Sequence, residues 1–226
     1  MTSSVVQVPL AILGGTFDPV HIGHLRVALE AANALGAELR LMPASVPPHR
    51  EQPVATAAQR VAILRAALAG QNRLRLDERE LSRPGRSYTI DTLTELRAEI
   101  GPDRSLVLLL GRDAFCGLPT WHRWRELFDH AHIGVLSRPG HAVAIPHELD
   151  AEVASRWIAT SSLADHDAFG KAFEIAVSAL EISATAIREL LRCGGDARYL
   201  LPDAVVNDVS LLAPYSNSPS GNVISD

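Results

Sequence analysis

The residues best suited to chemistry lie in Gly14-Gly15-Thr16-Phe17-Asp18-Pro19-Val20-His21-Ile22-Gly23-His24. A glycine pair lets the backbone approach a phosphate closely, and a helix start adds unpaired N–H groups and the positive end of a dipole. His21 and His24 are three apart around Gly23, which at a helix start puts both rings on one side, facing one ligand. The pattern is not a dinucleotide fingerprint, because the later glycines of G-x-G-x-x-G are missing. Nor is it a Walker loop, since no Gly-Lys-Ser/Thr follows. A single histidine here reads as a cap or a packing residue. Two around a glycine, after a Gly-Gly strand end, read as donors to a phosphate.

A second segment, Ile182-Ser183-Ala184-Thr185-Ala186-Ile187-Arg188, also suits a helix start. Ser183 is a good N-cap, and the hydroxyls of Ser183 and Thr185 can join backbone N–H groups in holding a phosphate. Arg188 adds a fixed charge whose fork geometry matches phosphoryl oxygens. Alone, the segment is an ordinary capped helix. Four further stretches lie between the two. Val46-Pro47-Pro48-His49-Arg50 by itself is a solvated basic loop. Ser87-Tyr88-Thr89 sits at a helix start, where exposed N–H groups either receive a carboxylate or are simply capped. Gly111-Arg112-Asp113 follows a strand, at the end where an acid can hold a ribose hydroxyl. In Pro119-Thr120-Trp121-His122 the indole either packs with Trp124 or stacks on a flat ligand ring.

Strands alternating with helices must position these residues. Leu10–Leu13 reads as a buried strand, His24–Leu35 as a helix closed by Gly36, and Glu38–Met42 as a second strand. Thr56 and Gln59 form a capping box opening a helix that runs to about Ala69. Leu74–Asp77 is a short strand, Thr89–Glu99 a helix, and Ser105–Leu110 the most apolar strand. Ile133–Ser137 and Ala172–Val177 complete the strands, and Thr185–Arg192 is a helix. This alternation implies an α/β fold with a doubly wound parallel sheet and helices on both faces. In such a sheet ligands bind beyond the carboxyl ends of the strands, which is where the glycine–histidine segment falls.

The chain has 226 residues, 47% of them hydrophobic, which is enough for one sizeable core. Its net charge of −5 argues against a nucleic-acid partner, because a polyphosphate backbone calls for a basic face. Cys116 and Cys193 are too few for a disulfide framework or a zinc site, which fits a reducing compartment. No apolar run approaches the ~20 residues of a membrane span, and Met1–Leu10 lacks the basic start of a secretory leader. The expectation is a soluble, cytoplasmic protein without a membrane partner, and a homo-oligomer is compatible with the sequence. Residues His141–Asp167 carry weak periodicity and several acids, and are expected to be a peripheral insertion. Residues 211–226, rich in Ser, Asn, Gly and Pro from Pro214, are expected to be a disordered tail.

Gly15–His24 resembles the HxGH signature of the nucleotidyltransferase superfamily, whose members transfer a nucleoside monophosphate and use a Rossmann-like fold. Ile182–Arg188 resembles the ISxTxxR motif that accompanies it. The intermediate stretches, in this order, resemble the bacterial nicotinate-nucleotide adenylyltransferase family. The resemblance implies one nucleotidyltransferase domain over residues 1–210. It implies ATP bound by Gly14, Gly15, Thr16, Phe17, His21, His24, Gly111, Asp113, Ser183, Thr185 and Arg188, with His21, His24 and Arg188 catalytic. His49 and Arg50 would approach the phosphate of nicotinate mononucleotide. Tyr88, Thr89, Trp121 and His122 would surround its ring, and Arg138 would lie near the nucleotides. Magnesium would arrive with ATP, and no metal site of the protein's own is expected. A transferase acting on phosphopantetheine is the nearest competitor, disfavoured by Ser87-Tyr88-Thr89 and Pro119-Thr120-Trp121. A silent nucleotide sensor on the same fold is the other, disfavoured by the presence of His21, His24 and Arg188.

Overall fold

A computed structural model describes residues 7–45, 52–83, 85–137, 144–165, 167–178 and 180–216. Six strands, β1 (Leu10–Gly15), β2 (Glu38–Pro43), β3 (Leu74–Leu76), β4 (Leu106–Gly111), β5 (His132–Ser137) and β6 (Ala172–Ala176), form one sheet. Their order is β3-β2-β1-β4-β5-β6, and every neighbouring pair is parallel. The winding runs outward from β1 toward β3, then restarts at β4 and runs the other way. The crevice between β1 and β4 is therefore the switch point, where such a sheet binds ligands beyond its carboxyl edge.

Parallel strands need crossovers, and these supply the two helical layers. Longer helices are α1 (Ile22–Leu35), α2 (Ala57–Ala67), α4 (Thr89–Ile100) and α7 (Ala184–Arg192). Shorter ones are α3 (Arg79–Ser82), α5 (Arg112–Cys116), α6 (His147–Val153), α8 (Asp203–Val206) and α9 (Val209–Leu212). Among the described residues no helix is long and apolar enough to cross a membrane. The period-2 alternation of the strands sorts the core into two clusters. Ala11, Leu13, Val107 and Leu109 face one layer, which includes Ala28, Ile63 and Ile187 of α1, α2 and α7. Leu10, Ile12, Leu106, Leu108 and Leu110 face the other, with Leu93 of α4 and Phe115 of α5. At Gly134 of β5 a Cβ would lie 2.8 Å from Leu109 Cδ2, so only glycine leaves that leucine its place in the core.

Caps fall where the sequence put them. Gly36 closes α1 in the left-handed conformation at φ 57°. Thr56 and Gln59 cap α2 reciprocally, through Thr56 N–H to Gln59 Oε1 at 2.9 Å and Gln59 N–H to Thr56 Oγ1 at 3.3 Å.

Two expectations need correction. The described part of His141–Asp167 is not peripheral. It contains α6, the crossover helix from β5 to β6, whose Leu149 and Val153 are fully buried beneath one face of the sheet. Its Leu163 belongs to the core cluster of the other face. A seven-residue helix with two inward apolar residues is too short to display a 3.6 period, so its acids dominate the reading. Residues 211–216 are not a disordered tail either. Leu212 ends α9, a 3-10 turn follows over Ala213–Tyr215, and the Leu212 and Tyr215 side chains are buried. The remainder of the expected tail, 217–226, lies outside the described residues.

If α6 is a core crossover, Leu149→Ala should destabilise the protein by about 2–5 kcal/mol, as truncation of a buried leucine does. Chemical denaturation measures this, and a loss below about 1 kcal/mol would return the segment to the periphery.

Candidate active site

The end of β1 and the start of α1 make the floor of the site. Gly14 is exposed, Gly15 pairs with Pro43 of β2, and the chain then turns through Phe17, whose φ is 49°. The buried Phe17 ring lies on Gly15, where a Cβ would sit 2.9 Å from its Cζ, so a side chain there would displace the ring. The Asp18–Pro19 peptide that follows is cis.

His21 is the N-cap of α1, and the two histidines cap each other. His21 Nδ1 accepts the His24 backbone N–H at 3.3 Å, while His24 Nδ1 accepts the His21 backbone N–H at 3.4 Å. The rings stack with centroids 3.7 Å apart and planes 24° from parallel. Because Nδ1 is an acceptor in both, each neutral ring carries its hydrogen on Nε2. Gly23 makes the arrangement possible: a Cβ there would lie 3.0 Å from His21 Nδ1 and 3.1 Å from its Cε1. His21 is only 5% exposed, whereas His24 is partly open to solvent.

The second segment packs directly on the first. The Gly23 Cβ position would be 3.6 Å from Ile182 Cβ. Ser183 is the N-cap of α7 and accepts the Ala186 N–H at 3.4 Å. Arg188 Nη1 donates to the Asp18 carbonyl at 2.8 Å, and its Nη2 donates to Thr185 Oγ1 at 3.3 Å. Arg188 thus braces the β1–α1 loop while remaining partly exposed.

A cavity of about 700 Å³ opens beyond β1 and β4 and joins the remaining stretches. Gly14, Gly15 and Thr16 line one part of it, with Gly111 and Asp113 from the β4–α5 junction. Tyr88, Thr89, Trp121 and His122 line another. Tyr88 and His122 hold their ring centroids 4.5 Å apart, and α4 begins at Thr89, so its first-turn N–H groups lie at the cavity wall. Trp124 is the core tryptophan at 5% exposure, which leaves Trp121 to face the cavity. His49, Arg50 and Arg138 lie outside the described residues.

Besides Asp18 of the glycine–histidine segment, three groups at the candidate site, Arg60, Glu80 and Arg86, stand in no motif. Asp18 is buried beneath the loop. Arg60 of α2 is fully buried, donating through Nη1 to the Thr16 carbonyl at 2.7 Å and through Nη2 to the Ala44 carbonyl at 2.9 Å. Burial lowers its pKa, and the Asp18 carboxylate opposes that fall. Glu80 lines the cavity and accepts the Thr92 hydroxyl at 2.9 Å; burial raises its pKa, and the Thr92 bond acts the other way. Exposed Arg86 also lines the cavity, beside Ser87. Arg60 sits at N4 of a capped amphipathic helix, where an inward arginine breaks the apolar stripe; that break was the available signal.

A family model described as cytidylyltransferase-like matches residues 12–190. The chain is 51% identical to a probable nicotinate-nucleotide adenylyltransferase of Pseudomonas putida, over 87% of this chain and 90% of the other. It is 48% identical to one of Dechloromonas aromatica, over 93% and 99%. The solved structure of Plasmodium falciparum nicotinic acid mononucleotide adenylyltransferase complexed with NaAD shares the fold, with a TM-score of 0.68. It covers 92% of this chain and 96% of its own, at 16% identity.

The reciprocal cap has a direct spectroscopic signature. In ¹⁵N-histidine-labelled protein, both His21 and His24 should show the Nε2–H tautomer at neutral pH. An Nδ1–H tautomer in either ring would break the cap described here.

Proposed function

The chain belongs to the nicotinate-nucleotide adenylyltransferase family of cytidylyltransferase-like proteins, and from that premise we propose that it adenylylates nicotinate mononucleotide with ATP. The products are nicotinate adenine dinucleotide and pyrophosphate, a step in NAD biosynthesis. An oxygen of the mononucleotide phosphate forms a bond to the α-phosphorus of ATP. The bond from that phosphorus to the bridging oxygen breaks, and pyrophosphate leaves with the electron pair. A phosphate monoester with a second pKa of ~6 is mostly dianionic at neutral pH, so the attack needs no general base. The barrier is the approach of two anions in line and the charge that builds on the transferring group.

The observation that carries this reading is the single cavity that reaches both the glycine loop and the Tyr88–Trp121 wall. In this reading Gly14–Thr16 and the Nε2–H groups of His21 and His24 meet the ATP phosphates at the positive end of α1. His24, the more exposed ring, contributes most. Ser183, Thr185 and Arg188 approach the phosphates from α7, while Arg188 also steadies Asp18. Gly111 and Asp113 serve the nucleoside part of ATP.

The pyridine ring lies against Tyr88, Trp121 and His122, with its carboxylate toward the first-turn amides of α4 at Thr89. Those donors favour an acid over an amide, which turns an N–H₂ group toward one of them. His49, Arg50 and Arg138 remain proposed contacts of the mononucleotide from their sequence positions. Magnesium carried on ATP would offset charge toward the leaving pyrophosphate. The described residues gather no group of three acids, histidines or cysteines for a resident ion. A cytoplasmic location is proposed with the function.

Pyrophosphate release with ATP and nicotinate mononucleotide tests the reading. Turnover should fall about 10²–10³-fold in His24→Ala, the usual cost of one oriented donor to developing charge. Nicotinamide mononucleotide should be used about 5- to 150-fold less efficiently, the range for one mismatched desolvated group. No release from the parent would reject the function, and normal release from His24→Ala would reject the role of the histidine.

A further inference from the structure

The C-terminal region reaches the site through a residue outside every motif. The Asp18 carboxylate, 5% exposed, accepts the Val54 N–H at 2.8 Å, the Ala55 N–H at 3.0 Å and the Tyr215 hydroxyl at 2.9 Å. These bonds join the β1–α1 loop to the start of α2 and to a tyrosine 197 residues away in sequence. Tyr215 is itself 4% exposed, packed in the cluster that contains Val205, Leu212 and Ile187. From the same region, the Leu200 carbonyl accepts the N–H of Ile22, the first residue of α1, at 2.9 Å. The C-terminal region therefore grips both sides of His21, at Asp18 and at Ile22.

We infer that Tyr215 is a positioning residue for the transfer reaction, its hydroxyl holding Asp18 and through it the loop that carries His21 and His24. The inference rests on the adenylyltransferase reading. The phenol keeps its proton across the working range of pH, because burial and the Asp18 charge hold its pKa above the usual value, so it always donates. Asp18 lies three residues before His21, at the turn that sets the direction of α1. Removing the hydroxyl leaves a buried carboxylate with one donor fewer, and the loop must shift to recover one. Misplacement of about 1 Å at a reacting group can cost on the order of 10²-fold.

Tyr215→Phe keeps the ring and its burial and removes only the donor. The expected result is a fall in kcat of roughly tenfold, with KM for both substrates within about threefold of the parent. Asp18→Asn should also lower kcat, and adding Tyr215→Phe to it should cost nothing further, since both act through one contact. Turnover of folded Tyr215→Phe within about twofold of the parent, or losses that simply add in the double variant, would overturn the inference.

Hydrogen exchange gives an answer that does not depend on turnover or on the folding of Asp18→Asn. In Tyr215→Phe the Val54, Ala55 and Ile22 amides should exchange faster than in the parent, while those of β1 and β4 do not. Unchanged exchange at the three amides would overturn the inference. A parent that releases no pyrophosphate would sink the functional reading, and the exchange result would then decide the role of Tyr215 alone.

Discussion

Two opposite charges buried beneath the β1–α1 loop, Asp18 and Arg60, set the shape on which the site depends. Taking an ion out of water costs several kcal/mol, and the cost is tolerable only when hydrogen bonds satisfy it. Asp18 is satisfied by two backbone amides and a phenol, and the two Arg60 Nη atoms each donate to a backbone carbonyl. These partners come from four pieces of chain: Thr16, Ala44, the adjacent Val54 and Ala55, and Tyr215. The charges therefore act as rivets: Arg60 ties Thr16 to Ala44, and Asp18 ties itself to Val54, Ala55 and Tyr215. Both ends of the connection from β2 to α2 are thereby fastened to the loop that carries the paired histidines.

On that frame, motifs some 160 residues apart in sequence come into contact, Gly23 against Ile182 and Asp18 with Arg188. The sheet winds outward from β1 and again from β4, so the carboxyl ends of both strands open on one crevice. The histidine pair stands at the start of α1, Tyr88 and Thr89 at the start of α4, and Arg188 of α7 reaches the β1–α1 loop at the Asp18 carbonyl. The starts of α1 and α4 supply N–H groups and a dipole end that favour anions. The histidines add two donors whose direction is fixed by the cap they build for each other.

Much of this was legible in the sequence because it rests on local rules. The short apolar runs of the strands, the capping box at Thr56 and Gln59, the left-handed Gly36 and the glycine between the histidines all follow from near neighbours. What escaped depends on partners far along the chain. Tyr215 is ordered by Asp18, and nothing in the composition around it announces that contact. Leu149 and Val153 belong to a helix too short to show its period. The Phe17 ring packs against Gly15 and edge-on against His24, 5.2 Å between centroids, a contact that the motif itself does not display. Arg60 shows in the sequence only as a break in the apolar stripe of α2, and its carbonyl partners Thr16 and Ala44 lie 44 and 16 residues away.

The central claim is that buried charge sets the nucleotide loop before any ligand arrives. Crystal structures of the protein alone and with nicotinate adenine dinucleotide test it most directly. The account predicts that the backbone of residues 14–24 superimposes within about 1 Å, as pre-organised sites do, with Asp18 keeping Val54, Ala55 and Tyr215 as partners. A shift beyond about 2 Å, with Asp18 exchanging those partners when the dinucleotide binds, would contradict it.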